Sequence, residues 1–443
     1  MMLLSIGVML CMVGVMGFSF FHVLFFYFLS GLVIFYKMSF LLWKFFCLNS
    51  SCLYLDKFGY LLIIMSYFIV NFMLLMNYKK KLLMFNLFYL LLFYSLMMCF
   101  LVNNILLFYI FFEFSLVPLI FLILMKGGSI ERFMASVYLF MYTFFSSLFF
   151  LGFMLMLGGG SMSDICLVNI LLFHKWESFY CLFLFFVFFV KMPLYGVHMW
   201  LPKAHVEAPV EGSMILAAVL LKLGCFGINR IFMWLNMYMY KNLFFFFMVF
   251  SAMSSLYISL ICLRQTDVKL MIAYSSISHM GLLLGGLLSL SKLGMVGMVG
   301  MALSHGFCSS ALFYLGNMCY ERCKTRNLFL FKGLFYYYPF LSFFWLVFCV
   351  FNMGAPFSVN FFSEIFLVLC FLNKTIGFSL VLCLILFMTV CYSLNMYLRV
   401  SHGNLLMMNF MMKESHLDFF ILFGHLLFLL IWGFKLSYFF IWI

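Results

Sequence analysis

GSMILAAVLLKLGCFG, residues 212–227, decides how the chain is read. Its side chains are small or apolar except for one, Lys222, which stands in the interior of the run. With the mostly apolar residues that follow to position 235, the stretch is long enough to cross hydrocarbon, which takes about 20 mostly apolar residues. A charge at mid-membrane costs from about 2.5 kcal/mol upward. A lysine kept at that depth is therefore a candidate for function, and snorkelling to an interface does not suit so central a position.

Outward from this segment the chain keeps the same character. It has 443 residues, of which 68% are hydrophobic and only 8% charged. A soluble domain would carry roughly 25% charged residues. The mean hydropathy of +1.21 points the same way, to lipid as the solvent. The net charge is +13, from 25 Lys and Arg against 12 Asp and Glu. The basic residues sit singly or in short groups between apolar runs, the pattern of topology-setting loop charges and not of a nucleic-acid surface. The 15 cysteines are scattered in apolar runs, where Cys behaves as a small hydrophobe. Cys319 and Cys323 are close in sequence but lack neighbouring histidines, so no metal site is expected. Gly158-Gly159-Gly160 precedes no Lys-Ser/Thr and reads as a loop, not a nucleotide cradle.

The expected fold is all-α membrane, with about 14 transmembrane helices. The spans read as 2–20, 21–47, 58–76, 82–101, 103–125, 132–157, 180–202, 212–235, 243–263, 267–290, 293–318, 334–372, 376–398 and 418–442. Pro193 interrupts the seventh and Gly354-Ala355-Pro356 the twelfth, because proline removes a backbone donor. Broken helices are tolerated in a membrane where protein or a wet cavity surrounds the freed groups, and in transporters they mark the ion pathway. The whole chain, 1–443, reads as one polytopic domain: N-terminal helices to about 80, one repeat over 82–235, a second over 243–398, and a last helix over 418–442. The two breaks then hold corresponding places in the two halves. Loops after odd-numbered spans carry most of the Lys and Arg, including Lys126, Lys203, Lys269 and Arg326. Loops after even-numbered spans carry fewer, among them Arg230, Lys241, Lys292 and Lys374. This bias places the odd-numbered loops on the positive side.

Six ionisable residues lie inside the spans: Glu113, Lys191, Lys222, His279, His305 and Glu364. Glu113 is ten positions into its span, roughly 15 Å deep at helical rise. Burial favours the neutral forms of carboxylates and lysines, and a nearby opposite charge reverses both effects. A Glu–Lys pair that forms and breaks can therefore make a lysine hold or release its proton, and histidine can relay it. The plain alternatives are a static Glu113–Lys191 ion pair and histidines that only bond neighbouring helices. His198, Lys203, His205, Glu207 and Glu211 crowd the end of the seventh span as auxiliary relay residues or an interfacial charge cluster. Asp267, with Lys269, begins the tenth span as a further auxiliary residue or a loop charge.

KMPLYGVHMWLPKAHVEAPVEGSMILAAVLLKLG (191–224), RQTDVKLMIAYSSISHMG (264–281) and HGFCSSALFYLGN (305–317) carry a specific likeness. The chain resembles the chain 4 family of mitochondrial NADH–ubiquinone oxidoreductase, an antiporter-like subunit of complex I. The resemblance implies inverted repeats with broken helices seven and twelve. It implies that Glu113 and Lys191 match the family's helix-five glutamate and helix-seven lysine, and Lys222 its central helix-eight lysine. His279 and His305 match the linking histidines, and Glu364 the helix-twelve glutamate, where the sister chain 5 has lysine. Two departures stand out: the family usually has two consecutive prolines at the second break, whereas Pro356 is followed by Phe357, and GGSIERF lacks the proline often found before its Glu-Arg.

The resemblance further implies a proton-translocating subunit of NADH:ubiquinone reductase, with no redox site in this chain. NAD, FMN, iron–sulfur clusters and ubiquinone would be bound by other subunits. Its partners would be membrane-arm subunits and the lipid bilayer, with no nucleic acid and no small molecule beyond protons and water. The location would be the mitochondrial inner membrane. The high Phe and Met content, 68 and 39 residues, fits an organelle-encoded gene. Two alternatives share the buried charges: a free-standing cation/proton antiporter, and a structural subunit in which the charges only stabilise packing.

Overall fold

Lipid cannot hydrogen-bond a backbone, so an apolar run must satisfy its own N–H and C=O groups, which a helix does. The computed structural model describes residues 55–78, 83–127, 130–157, 177–235, 241–403 and 416–434, and no strand occurs among them. The first two expected spans and the Gly158-Gly159-Gly160 loop lie outside these residues.

The helices are α1 (Lys57–Tyr78), α2 (Leu83–Leu101), α3 (Ile105–Phe114), α4 (Leu116–Lys126), α5 (Arg132–Leu157), α6 (Glu177–Lys191), α7 (Trp200–Glu207) and α8 (Val210–Ile215). A π-helical turn, Leu216–Leu220, leads into α9 (Leu221–Leu235). Then follow α10 (Lys241–Leu263), α11 (Val268–Leu288), α12 (Lys292–Cys323), α13 (Leu334–Tyr337), α14 (Pro339–Asn352), α15 (Val359–Leu372), α16 (Ser379–Ser401) and α17 (His416–Phe434). Helix α6 and the break after it fill most of the expected seventh span, 180–202, and α7 starts at its end and runs on to Glu207; α14 and α15 are the two parts of the twelfth.

The fifth span is also divided. The single helix expected over 103–125 forms as α3 and α4, hinged at Ser115. Pro118 is the cause: it has no N–H for the Phe114 carbonyl one turn earlier. The hinge comes two residues after Glu113.

Helix α12 is the axis of the bundle. At 32 residues it is about 48 Å long at helical rise, and α1, α8, α11, α14, α15 and α17 all pack on it. Its own sequence permits this. Gly297 and Gly300 face Leu367 and Ser363 of α15 so closely that a Cβ at either would sit 3.0 to 3.1 Å from them. Small residues that let backbones approach are how membrane helices gain packing energy without a hydrophobic driving force. Serine hydroxyls of α10 and α11, such as Ser251, Ser255, Ser275 and Ser278, are buried and bond carbonyls one turn back. The outer faces of α4, α5 and α10 expose Phe121, Phe144, Phe145, Phe246 and their neighbours, as a chain solvated by lipid requires.

The loop charges meet as the span count demands. Lys126, Glu211, Lys269, Arg326 and Asp418, from five different connections, line one cavity of about 410 Å³ at one end of the bundle. Every one adjoins a loop that follows an odd-numbered span.

One charge was misplaced by the loop reading. Arg230 is not in a loop but 1% exposed within α9. It pairs with Asp56 and donates to the Val102 and Phe100 carbonyls at 2.8 and 3.1 Å, capping the end of α2. Lys269 is also buried, donating to the Ala208 carbonyl at 3.1 Å. Both found partners inside the bundle, which short-range sequence context does not show.

Candidate functional site

Lys191 is the last residue of α6. Pro193, two residues on, cannot continue the ladder. Leu194 reaches back five residues to the Phe189 carbonyl at 3.3 Å, and the displaced Val190 carbonyl accepts the Trp200 indole N–H at 3.0 Å. The break over 192–199 thus leaves these carbonyls satisfied without water. Lys191 is 2% exposed and lies at a helix C-terminus, where the partial negative charge favours a cation. Its Nζ stands 4.0 Å from the centre of the Phe112 ring, a cation–π contact.

Glu113 follows Phe112 and lies beside the Ser147 hydroxyl of α5. The expected Glu113–Lys191 pair needs correcting. The two feel each other's charge but do not reach ion-pair distance, and Lys191 Nζ has no hydrogen-bond partner. The Phe112 ring holds the ammonium instead.

Lys222 is fully buried. The π turn directly before it widens the helix, a device often found at functional sites. Lys222 Nζ folds back onto the Ala217 carbonyl at 2.5 Å and lies 3.3 Å from His305 Nδ1. Gly306, next to His305, leaves room for the Met65 side chain of α1, whose sulfur a Cβ there would meet.

The sequence left the order of the histidines open. His305 adjoins Lys222, and its ring centre is 5.3 Å from that of His279. His279 Nδ1 faces Glu364 Oε1 at 3.9 Å, a gap that suits a bridging water or a small side-chain swing. Its Nε2 contacts the Tyr392 hydroxyl at 3.0 Å. When that hydroxyl donates, the neutral ring carries its proton on Nδ1, facing Glu364. Lys222, His305, His279 and Glu364, from α9, α12, α11 and α15, thus form one buried string.

Glu364 is 5% exposed. Its carboxyl lies against the second break, where Gly354 has φ +70°. A Cβ on Gly354 would come within 3.1 Å of the carboxyl carbon. The backbone is again repaired locally. Ala355 reaches back five residues to Val350, and the displaced Phe351 carbonyl accepts the Asn360 side-chain N–H at 2.7 Å.

The auxiliary residues do not form one cluster, which corrects the sequence expectation. His205 is fully buried and stacked on Phe313, with ring centres 4.6 Å apart. It faces inward toward the charges of Lys222 and Lys269. His198 accepts the Gly196 N–H at 3.3 Å within the first break. Lys203 is exposed over the Tyr138 ring. Glu207 pairs with Arg326 at 3.4 Å and Glu211 with Lys126 at 3.2 Å. Asp267 bridges Asn327 and holds two loops together. Helix α7 turns Lys203, His205 and Glu207 to different sides, while His198 lies in the break before it and Glu211 in α8 after it. Tyr392, the fully buried α16 residue on His279, was not among the expected residues. Its signal was a hydroxyl in the middle of a span, away from the ends where tyrosine anchors to the interface. No group of His, Cys, Asp and Glu suited to a metal occurs among the described residues.

Comparison with known proteins agrees with this geometry. Residues 102–391 match the family model described as NADH:quinone oxidoreductase/Mrp antiporter, transmembrane. The NADH-ubiquinone oxidoreductase chain 4 of Ceratitis capitata is 36% identical over 86% of this chain and 87% of that protein. That of Rhipicephalus sanguineus is 37% identical over 83% of each. Among solved structures, respiratory complex I from Thermus thermophilus with bound NADH contains a chain that superposes with a TM-score of 0.78. That chain is 23% identical, over 87% of this chain and 83% of its own length. The Mrp complex from Dietzia sp. gives 0.73 at 18% identity, over 80% and 68%. Both show the fold. The family model spans both broken helices and all six buried charges, the relatives run nearly the full length, and the chain belongs to the NADH-ubiquinone oxidoreductase chain 4 family.

Proposed function

We propose that this chain translocates protons as a membrane-arm subunit of respiratory complex I in the mitochondrial inner membrane. The observation that carries the reading is the buried string Lys222–His305–His279–Glu364, with contacts of 3.3 Å at one end and 3.9 Å at the other. Burying four ionisable groups in a row is costly in lipid, and a row that only packed helices would not need to alternate amine, imidazole and carboxyl. Lys222 holds the central proton. His305 takes it at one ring nitrogen and releases it from the other, His279 repeats the step, and Glu364 passes it to the far side. Lys191 and Glu113 set the charge at the opposite side of Lys222: a proton leaving or joining Glu113 changes the field on Lys191. The arrangement of two halves, each with a broken fourth element, supports an inverted repeat over 82–235 and 243–398 built around this row. NADH oxidation, the FMN and iron–sulfur chemistry and ubiquinone reduction belong to other subunits, and the gene is organelle-encoded.

The test is proton pumping per NADH oxidised in sealed vesicles holding the assembled complex. Glu113→Gln and Lys222→Met each lower it. Unchanged stoichiometry in both variants, with normal assembly, rejects the relay. The likeness to the Mrp complex favours one other reading, a cation/proton antiporter. Sodium-driven proton movement by the chain alone would support it.

A further inference from the structure

At the end of the bundle opposite the charged cavity lies a second one, of about 380 Å³. That is within the roughly 300–1,000 Å³ typical of ligand clefts. Its walls have two kinds of chemistry. Phe245, Met248, Leu288 and Leu290 are apolar, while Lys241, Asn242, Ser289 and Lys374 are polar. Among the described residues, no acidic side chain lines it. Both lysines are exposed, and neither has an acidic partner among the described residues. Lys241 also begins the 23-residue helix α10, whose N-terminal N–H groups add positive potential. Leu290, which closes one wall, has φ +52°, a conformation that costs a non-glycine residue energy.

The position is as informative as the lining. The loops at this end follow even-numbered spans and carry few basic residues, yet Lys241 and Lys374, from two different loops, line this one crevice. Scattered charges suffice to orient a membrane protein, and two cations over an apolar floor do something else: they match an anion with an apolar tail. Outside the crevice, Phe246, Ile376 and Leu380 are 64%, 82% and 68% exposed. They continue the apolar surface down α10 and α16, along the direction acyl chains take from a headgroup. Basic pockets between transmembrane helices recognise acidic headgroups in this manner.

We propose that this cavity binds the headgroup of an acidic phospholipid, its phosphate between Lys241 and Lys374 and its chains along α10 and α16. The test uses the intact purified complex and two photoreactive probes, phosphatidylglycerol and phosphatidylcholine, each in detergent micelles. The acidic probe should label segments 241–248 and 374–380 at least tenfold more than the zwitterionic one. Lys241→Gln with Lys374→Gln should lower that labelling by about thirtyfold, since each surface lysine favours acidic lipid by about fivefold. The corresponding pair of Lys→Arg changes should retain it. Equal labelling by both probes would mean generic lipid contact and overturn the proposal. So would loss of labelling in excess inorganic phosphate, which marks a free-anion site, or cross-links from the lysines to an acidic loop of another subunit. If the double variant fails to assemble, the two-probe comparison in the unaltered complex still decides.

Discussion

The two broken helices repair their backbones alike and use their breaks differently. In each, a residue beside the proline reaches back five positions, and the displaced carbonyl takes a side-chain N–H from just downstream: Trp200 on Val190, Asn360 on Phe351. The charges, however, have opposite signs and sit on opposite sides of the gap. Lys191 ends the helix before its break, at a negative helix end. Glu364 lies beyond its break, in the helix whose positive N-terminus starts at Val359. Each charge is on the half-helix whose nearer end favours it. The first break therefore presents a cation against the Phe112 ring, and the second a carboxylate at the end of the buried row.

The largest expected effect separates the breaks by what their glycines face. Gly196 and Gly354 both have positive φ. Around Gly196 a Cβ would meet nothing within 4 Å, whereas at Gly354 it would enter the Glu364 carboxyl. Gly354→Ala should cut pumping per NADH at least tenfold by displacing Glu364. Gly196→Ala should leave pumping within twofold and cost only backbone strain, about 1 kcal/mol. Equal effects on pumping would show that the carboxyl's seat on the break does not matter.

Next come the repairs. Trp200→Phe and Asn360→Leu each leave one fewer donor on a buried carbonyl, a loss of about 1–3 kcal/mol. Both should lower the thermal midpoint of the complex in detergent. The Asn360 change should be the milder, because Gly354 N–H also reaches the Phe351 carbonyl, at 3.2 Å. A larger drop for Asn360→Leu would mean that the two repairs are not equivalent.

Tyr392→Phe tests the second break's side of the row alone. It removes the hydroxyl from His279 Nε2 and nothing from Lys191. A single hydrogen bond is worth about 0.5–1.5 kcal/mol, so pumping should fall by about two- to tenfold with assembly intact. Pumping indistinguishable from the unaltered complex would show that the ring's orientation does not depend on this bond.

These residues also show what a sequence exposes. A charge in an apolar run is visible because lipid makes it costly, so Lys222 and Glu364 stood out, as did Pro193 and Pro356, which fall in the interior of long apolar runs. Tyr392 was hidden among 25 tyrosines, since a hydroxyl gives no such contrast. The π turn was hidden because LAAVL is ordinary helical sequence and its widening arises only in packing. Arg230 was misread because its partner Asp56 is 174 positions away. Pro118, by contrast, was a plain signal for the hinge after Glu113, overshadowed by the strongly apolar run around it.

Phe357 sharpens the comparison last and least. It has φ +69° and is 89% exposed, so its ring gains little from packing against this chain while its backbone bears strain. The first break has only a glycine in that conformation. Proline, whose φ is locked near −65°, cannot take this geometry, so the two consecutive prolines usual in the resembling family would shape the break differently. Phe357→Gly removes the steric cost of a left-handed non-glycine residue, about 1 kcal/mol, and adds the entropy cost of glycine, of similar size. The thermal midpoint should therefore stay within a few degrees and pumping should be unchanged, because the hydrogen bonds that shape the break come from Ala355, Ser358 and Asn360. A loss of pumping would mean that the ring itself, against lipid or a neighbouring subunit, holds the second break in shape, a constraint with no counterpart at the first.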